Sequence, residues 1–118
     1  MSAPVGPYRP AVRAGDWLVV SGQLGLRDGV LVDGGVGSQT TQALANLAEV
    51  LETEGASLDE VVKTTVYLRH IWDYDPMNAA YVAAFGDHRP ARAAVAVSGL
   101  PRDALVEVEA WAYQPQRD

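Results

Sequence analysis

Arg92 stands in a run of small apolar residues, Arg89-Pro90-Ala91-Arg92-Ala93-Ala94-Val95-Ala96-Val97. A turn at Leu100-Pro101-Arg102-Asp103 separates it from Val106-Glu107-Val108-Glu109-Ala110. Period-two alternation, punctuated by Pro90 and Pro101, predicts two adjacent strands that present one arginine and two carboxylates among small side chains. A guanidinium shielded from water costs several kcal/mol unless an anion meets it. That anion is a carboxylate of the protein, Glu107 or Glu109, or a carboxylate of a ligand, and residue types alone leave both open. Glu107 and Glu109 lie two apart on a strand and share a face, where a solvated surface or contact salt bridges are the ordinary roles.

Other chemistries are narrowed by composition. The 118 residues contain no cysteine, so disulfides, thiolate metal sites and a cysteine nucleophile are excluded. His70 and His88 are too far apart for metal-ligand spacing and are expected at the surface or at an interface. The acidic residues Glu49, Glu52, Glu54, Asp59 and Glu60 do not converge on one short loop and are read as a solvated surface. Fifteen acidic residues against eight Arg and one Lys give a net charge of −6, which disfavours binding to nucleic acid or to an anionic membrane. No apolar run approaches the roughly 18 residues of a membrane span, and the N-terminus does not read as a signal peptide, which fits a cytoplasmic protein.

These side chains need a scaffold, and the length suits one domain over residues 1–118. Residues 1–9, rich in proline, predict an extended lead-in ending at Gly6-Pro7-Tyr8. Ala11 to Arg13 and Trp17-Leu18-Val19-Val20-Ser21-Gly22 read as a hairpin about Gly15-Asp16, followed by a glycine-rich loop with Val30-Leu31-Val32 as a small strand. Ala43, Leu44, Leu47, Val50 and Leu51 recur at helical spacing over about 38–54, with Ser38 as N-cap and Gly55 just past the end. Val61 to Arg69 reads as a strand with Val62, Thr64, Val66 and Leu68 on one face and Val61, Lys63, Thr65 and Tyr67 on the other. Asp75-Pro76 opens a second helix with Met77, Ala80, Tyr81, Ala84 and Phe85 inward and Gly86 at its end. Residues 114–118 are expected to fray. One mixed β-sheet with both helices on one face is therefore predicted, an α+β domain. Its other face is half apolar, which points to a partner subunit and a ligand site between subunits.

Seven pieces of the chain, in order, carry a family resemblance: Gly6-Pro7-Tyr8, Val20-Ser21-Gly22-Gln23, Gln42-Ala43-Leu44-Ala45-Asn46-Leu47, Val62-Lys63-Thr64-Thr65-Val66, Asn78 with Tyr81, Pro90-Ala91-Arg92, and Leu100-Pro101 with Val106 to Ala110. Together they resemble the reactive intermediate deaminase family, also called Rid or YjgF-like. The resemblance implies a chorismate-mutase-like fold assembled as a homotrimer with clefts between subunits. It also implies hydrolysis of enamine and imine intermediates, such as 2-aminoacrylate, 2-iminopropanoate and 2-iminobutanoate, to 2-oxo acids and ammonia, without metal or organic cofactor. Pyridoxal-phosphate-dependent dehydratases supply such intermediates.

By the same resemblance Arg92 binds the substrate carboxylate, a group that suits a guanidinium fork, and Glu107 serves the attacking water. Tyr8 matches a tyrosine at the cleft rim, Ser21 a pocket serine, and Asn78 a recurring asparagine. Ala93 and Ala94 stand on the cleft wall where polar residues are frequent, Arg89 replaces a common aromatic, Gly25 replaces a frequent proline, and the linker around Trp72 is bulky. These departures bear on substrate range. They also motivate an alternative, a non-catalytic protein that holds a small carboxylate metabolite in the same cleft. A ribonuclease role, attached to members of this family, is disfavoured by the acidic balance, and a chorismate mutase would need more cations than Arg92 and Arg89 provide.

Overall fold

Alternation along Trp17–Leu24 and Val106–Tyr113 gives each strand one wholly apolar side, and the helical period of Ala43 to Leu51 supplies the stripe that covers it. The computed structural model describes residues 4–115. Its elements are β1 (Ala11–Ala14), β2 (Trp17–Leu24), β3 (Leu26–Arg27), β4 (Val30–Leu31), α1 (Gly35–Thr53), β5 (Val61–Leu68), α2 (Tyr74–Phe85), β6 (Ala91–Ala96) and β7 (Val106–Tyr113). Five strands form one sheet in the order β1-β2-β7-β5-β6, and β3 pairs with β4 in a separate small hairpin. The β5–β6 pair is parallel because α2 carries the crossover between them, whereas the other pairs are antiparallel.

Both helices cover the same sheet face, giving the expected α+β class. Leu44, Leu47 and Leu51 of α1 and Met77, Tyr81 and Phe85 of α2 pack on Leu18, Val20, Val66, Leu68, Val106, Val108, Ala110 and Ala112. The opposite face remains open and carries Trp17, Trp111 and Tyr113, which meet edge to face at centroid distances of 6.1 and 5.1 Å.

A polar brace ties the end of β2 to α1. Arg27 donates to Gln42, Gln42 donates to Asn46 at 2.9 Å, and Asn46 donates to the carbonyls of Leu24 and Leu26 at 3.0 and 2.9 Å. Gly25, between those carbonyls, approaches α1 so closely that a Cβ there would lie 2.6 Å from the Gln39 carbonyl oxygen and 2.7 Å from its Cα. Backbone cannot yield as a side chain can. Gly25→Ala is therefore expected to cost about 2–3 kcal/mol, within the usual range for overpacking, read as a lower midpoint in denaturant.

Several local expectations are corrected. Ser38 is not the N-cap of α1: the helix begins at Gly35, capped by Gly34 at φ 110°, because paired glycines with positive φ turn the chain into the helix four residues sooner. Gly55, at φ 79°, does follow the helix end. The second helix starts at Tyr74 with Asp73 as N-cap, so Pro76 lies deeper in the first turn, where its missing N–H still costs nothing. Within β5 a register shift between Val61 and Lys63 buries Val61 and exposes Val62, the reverse of the simple alternation. The lead-in bends at residues 5–8, with the Tyr8 N–H donating to the Gly6 carbonyl at 2.9 Å. Gln114 is tied down, its side chain donating to the Gly55 carbonyl at 2.7 Å and accepting from Arg13 at 2.9 Å. Residues 116–118 of the expected frayed tail, and 1–3 of the lead-in, lie outside the described residues.

Candidate active site

Glu107 faces the open side of the sheet, where β7 pairs with Tyr67 of β5 and Leu24 of β2. The register shift between Val20 and Gln23 bulges β2 at Ser21 and Gly22 toward it. Gly22 is the residue that makes room: a Cβ there would lie 2.8 Å from the Glu107 carboxyl carbon. Val5, Tyr8, Ser21, Gly22, Pro101 and Glu107 line one cavity of about 470 Å³.

The carboxylate of Glu107 is half buried, and among the described residues it forms no ion pair or hydrogen bond. Burial, and secondarily the neighbouring Glu109 charge, push its pKa above the ordinary glutamate value of 4.5. Glu109 takes a different role: it accepts a hydrogen bond from the Tyr67 hydroxyl, which raises the tyrosine's pKa. Tyr8, exposed at the cavity mouth, accepts from the Val5 N–H at 3.3 Å. The Ser21 hydroxyl donates to the Arg9 carbonyl at 2.6 Å and so pins the lead-in against β2.

Arg92 belongs to a second cluster. In β6 it pairs with Thr64, whose buried side chain faces α2, so Arg92 lies on the helix side of the sheet at its edge. Its Nη2 donates to the Tyr74 hydroxyl at 3.0 Å, Nη1 lies 4.0 Å from the Met77 sulfur, and the guanidinium carbon is 4.8 Å from the Tyr81 ring centroid and 5.6 Å from that of Tyr74. Stacking on aromatic rings holds a cation without neutralising it. Among the described residues Arg92 forms no ion pair, so neither Glu107 nor Glu109 answers its charge.

Asn78, four residues beyond Tyr74 and three before Tyr81, occupies the same side of α2, and its Oδ1 is buried with no partner among the described residues. Ala94 shares the face of Arg92 and packs against the core, whereas Ala93 faces the open side. Arg89 donates to the Gly86 and His88 carbonyls and closes the end of α2. His70 stacks on Trp72 at 4.3 Å, and the His88 ring Nε2 lies 2.6 Å from the Val61 carbonyl.

The candidate residues therefore divide into two half-sites: Tyr8, Ser21 and Glu107 on the open face, and Arg92, Asn78 and Ala94 on the helix face. Contrary to expectation, the strands of Arg92 and Glu107 are not adjacent: β5 pairs with both and lies between β7 and β6, so the two charges are separated by two strand spacings, about 10 Å, and by the thickness of the sheet. A ligand of a few atoms cannot span both within one chain. Sequence reading missed Tyr74 and Tyr81 as the rings around Arg92. Their seven-residue interval with Met77 and Asn78 between them is a helical-face signal, visible once the helix is started at Tyr74. A wider cleft of about 880 Å³ between the β3–β4 hairpin and both helices contains none of the candidate residues.

The fold and these two half-sites define a class. Residues 1–114 match the family described as Endoribonuclease L-PSP. The chain belongs to this family, the YjgF-like or Rid family. It is 45% identical over 114 residues to the mouse (Mus musculus) 2-iminobutanoate/2-iminopropanoate deaminase, covering 95% of this chain and 84% of that one. RidA from an Antarctic Psychrobacter has the same fold, with a TM-score of 0.90 and 38% identity over 94% of this chain and 91% of its own. The YjgF gene product of E. coli gives a TM-score of 0.88 and 35% identity, with 94% and 91% covered.

Proposed function

We propose that this protein hydrolyses reactive 2-imino acids, such as 2-iminopropanoate and 2-iminobutanoate, to the 2-oxo acid and ammonia. The observation that carries the reading is the pair of complementary groups unanswered among the described residues: a guanidinium with no carboxylate, and a half-buried carboxylate with no cation. A 2-imino acid has what each lacks, a carboxylate for Arg92 and an electrophilic carbon beside it to which Glu107 can deliver water. The mammalian relative named for this reaction supports the substrate class.

Because the half-sites lie on opposite faces of one sheet, the working cleft in this proposal forms between neighbouring subunits of a homotrimer. Arg92, Asn78 and Ala94 come from one subunit, and Tyr8, Ser21 and Glu107 from the next. The exposed Trp17, Trp111 and Tyr113 supply the apolar surface that such an assembly covers. Glu107 takes a proton from water as oxygen bonds to the imine carbon and passes it to the nitrogen, giving a carbinolamine; it then carries the hydroxyl proton to the same nitrogen as the carbon–oxygen double bond forms, the carbon–nitrogen bond breaks and ammonia leaves. Arg92 holds the carboxylate so that the imine carbon faces that water. No step calls for a redox centre, and the setting proposed is the cytoplasm, beside the dehydratases that release such imines.

The test is a coupled assay in which a pyridoxal-phosphate-dependent dehydratase generates the imine in situ. Faster release of 2-oxo acid on adding the protein supports deamination. Binding of 2-oxobutanoate with no acceleration would instead favour a carboxylate-binding role for the same cleft. The ribonuclease activity named in the family description would need RNA cleavage that survives purification and is lost in Arg92→Ala. A net charge of −6 argues against it.

A further inference from the structure

Tyr74 stands directly against Arg92. Its hydroxyl accepts a hydrogen bond from Nη2 at 3.0 Å, and its ring lies 5.6 Å from the guanidinium carbon. The other tyrosine at this cation is committed elsewhere: Tyr81 shares a buried hydrogen bond of 2.7 Å with Thr64, and burial raises its pKa. Tyr74 is not buried, being 39% exposed, and among the described residues its hydroxyl proton has no acceptor. A phenol both accepts and donates. With its acceptor side taken by Arg92, the donor side is left for whatever anion comes to the same guanidinium.

We propose that Tyr74 is a second carboxylate-binding group of the site, whose hydroxyl accepts from Arg92 and donates its proton to the carboxylate that Arg92 holds. The inference rests on the reading of Arg92 as the carboxylate receptor. It gives the helix-side half-site three kinds of contact: the guanidinium fork for charge and planarity, the Tyr81 ring beneath it for orientation, and the Tyr74 hydroxyl for a further hydrogen bond. Tyr74 opens α2, with the Asp73 N-cap immediately before it and Met77 buried one turn later, so its ring is fixed to a rigid element rather than to a loop. A substrate amide or ester would lose the charge that draws both donors together, so the pair selects free acids.

The experiment compares wild type, Tyr74→Phe and Arg92→Ala by calorimetric titration with 2-oxobutanoate and by steady-state kinetics in the coupled assay. Phenylalanine keeps the ring beside the guanidinium and removes only the hydroxyl. Tyr74→Phe is expected to weaken 2-oxobutanoate binding and raise KM by about tenfold, the usual worth of one hydrogen bond to a charged group, with kcat within about twofold and an unchanged melting temperature. A structure with 2-oxobutanoate bound is expected to place the Tyr74 hydroxyl within about 3.2 Å of a carboxylate oxygen. Wild-type affinity in Tyr74→Phe, together with lost affinity in Arg92→Ala, would overturn the role of Tyr74 alone. Wild-type affinity in Arg92→Ala, or no binding by wild type, would overturn the reading of Arg92 and this inference with it.

Discussion

Replacing Arg92 by alanine is expected to lower kcat/KM for a 2-imino acid by about 100- to 1000-fold, corresponding to the roughly 3–4 kcal/mol lost when one side of a charge-assisted pair is removed. Tyr74, Met77 and Tyr81 hold the guanidinium by stacking and by one hydrogen bond to a neutral hydroxyl, and no carboxylate among the described residues neutralises it. Its strongest favourable interaction is therefore still available to a ligand. The folded state loses much less: a partly exposed cation over an aromatic ring is worth about 0.5–1 kcal/mol, so the melting temperature of Arg92→Ala should fall by only a few degrees. Circular dichroism and sedimentation should show an unchanged fold and assembly. Arg92→Lys separates charge from shape, and is expected to recover only a small part of the activity because an ammonium cannot make the paired contacts of a fork.

Glu107→Gln is expected to reduce kcat by about 100- to 10,000-fold, the usual range for removing a general base, with a smaller change in KM. Its pH signature is specific. Burial holds the pKa of Glu107 above 4.5, so in wild type the acid limb of the kcat/KM profile should lie above the ordinary glutamate value, with activity rising as the carboxylate ionises. In Glu107→Gln that limb should disappear from the residual rate. Stability moves in the opposite direction. A carboxyl group with a raised folded-state pKa contributes its stabilisation at pH below the unfolded value, and that contribution is lost as pH rises through the folded value. Glu107→Gln should therefore match wild type in melting temperature near pH 4, and exceed it increasingly as the pH is raised through the folded pKa of Glu107. A variant that loses activity with no such gain in stability at neutral pH would show that the carboxylate is not held against a desolvation cost.

Much of the scaffold was legible in the chain. The alternation in Val106 to Ala110 and the three- and four-residue steps from Ala43 to Leu51 report burial directly, and burial is what the fold obeys. Expectations failed where a single backbone feature resets the count. The bulge at Val62 swaps two valines between faces, and the Gly34-Gly35 pair starts α1 ahead of Ser38. The two-residue strand Leu26–Arg27 carries too short a pattern to register at all. The candidate site was legible by residue and not by arrangement. Arg92 stands out by its type and Glu107 by the family resemblance, but that they face opposite sides of one sheet follows from β5 pairing with both β6 and β7, which no local pattern encodes. Tyr74 was hidden for a simpler reason: placed in a linker, it had no helical face to share with Asn78 and Tyr81.

The most direct test of the account is complementation between subunits. Arg92→Ala and Glu107→Gln chains, each nearly inactive alone, are co-expressed, and the mixed assemblies are isolated and assayed with the imine generated in situ. In the proposed trimer every mixed assembly has about one cleft in three that combines an intact Arg92 from one subunit with an intact Glu107 from the next, so activity should return to about a third of wild type. A mixed assembly as inactive as its two parents would contradict the shared cleft, and with it the way Arg92 and Glu107 are joined here.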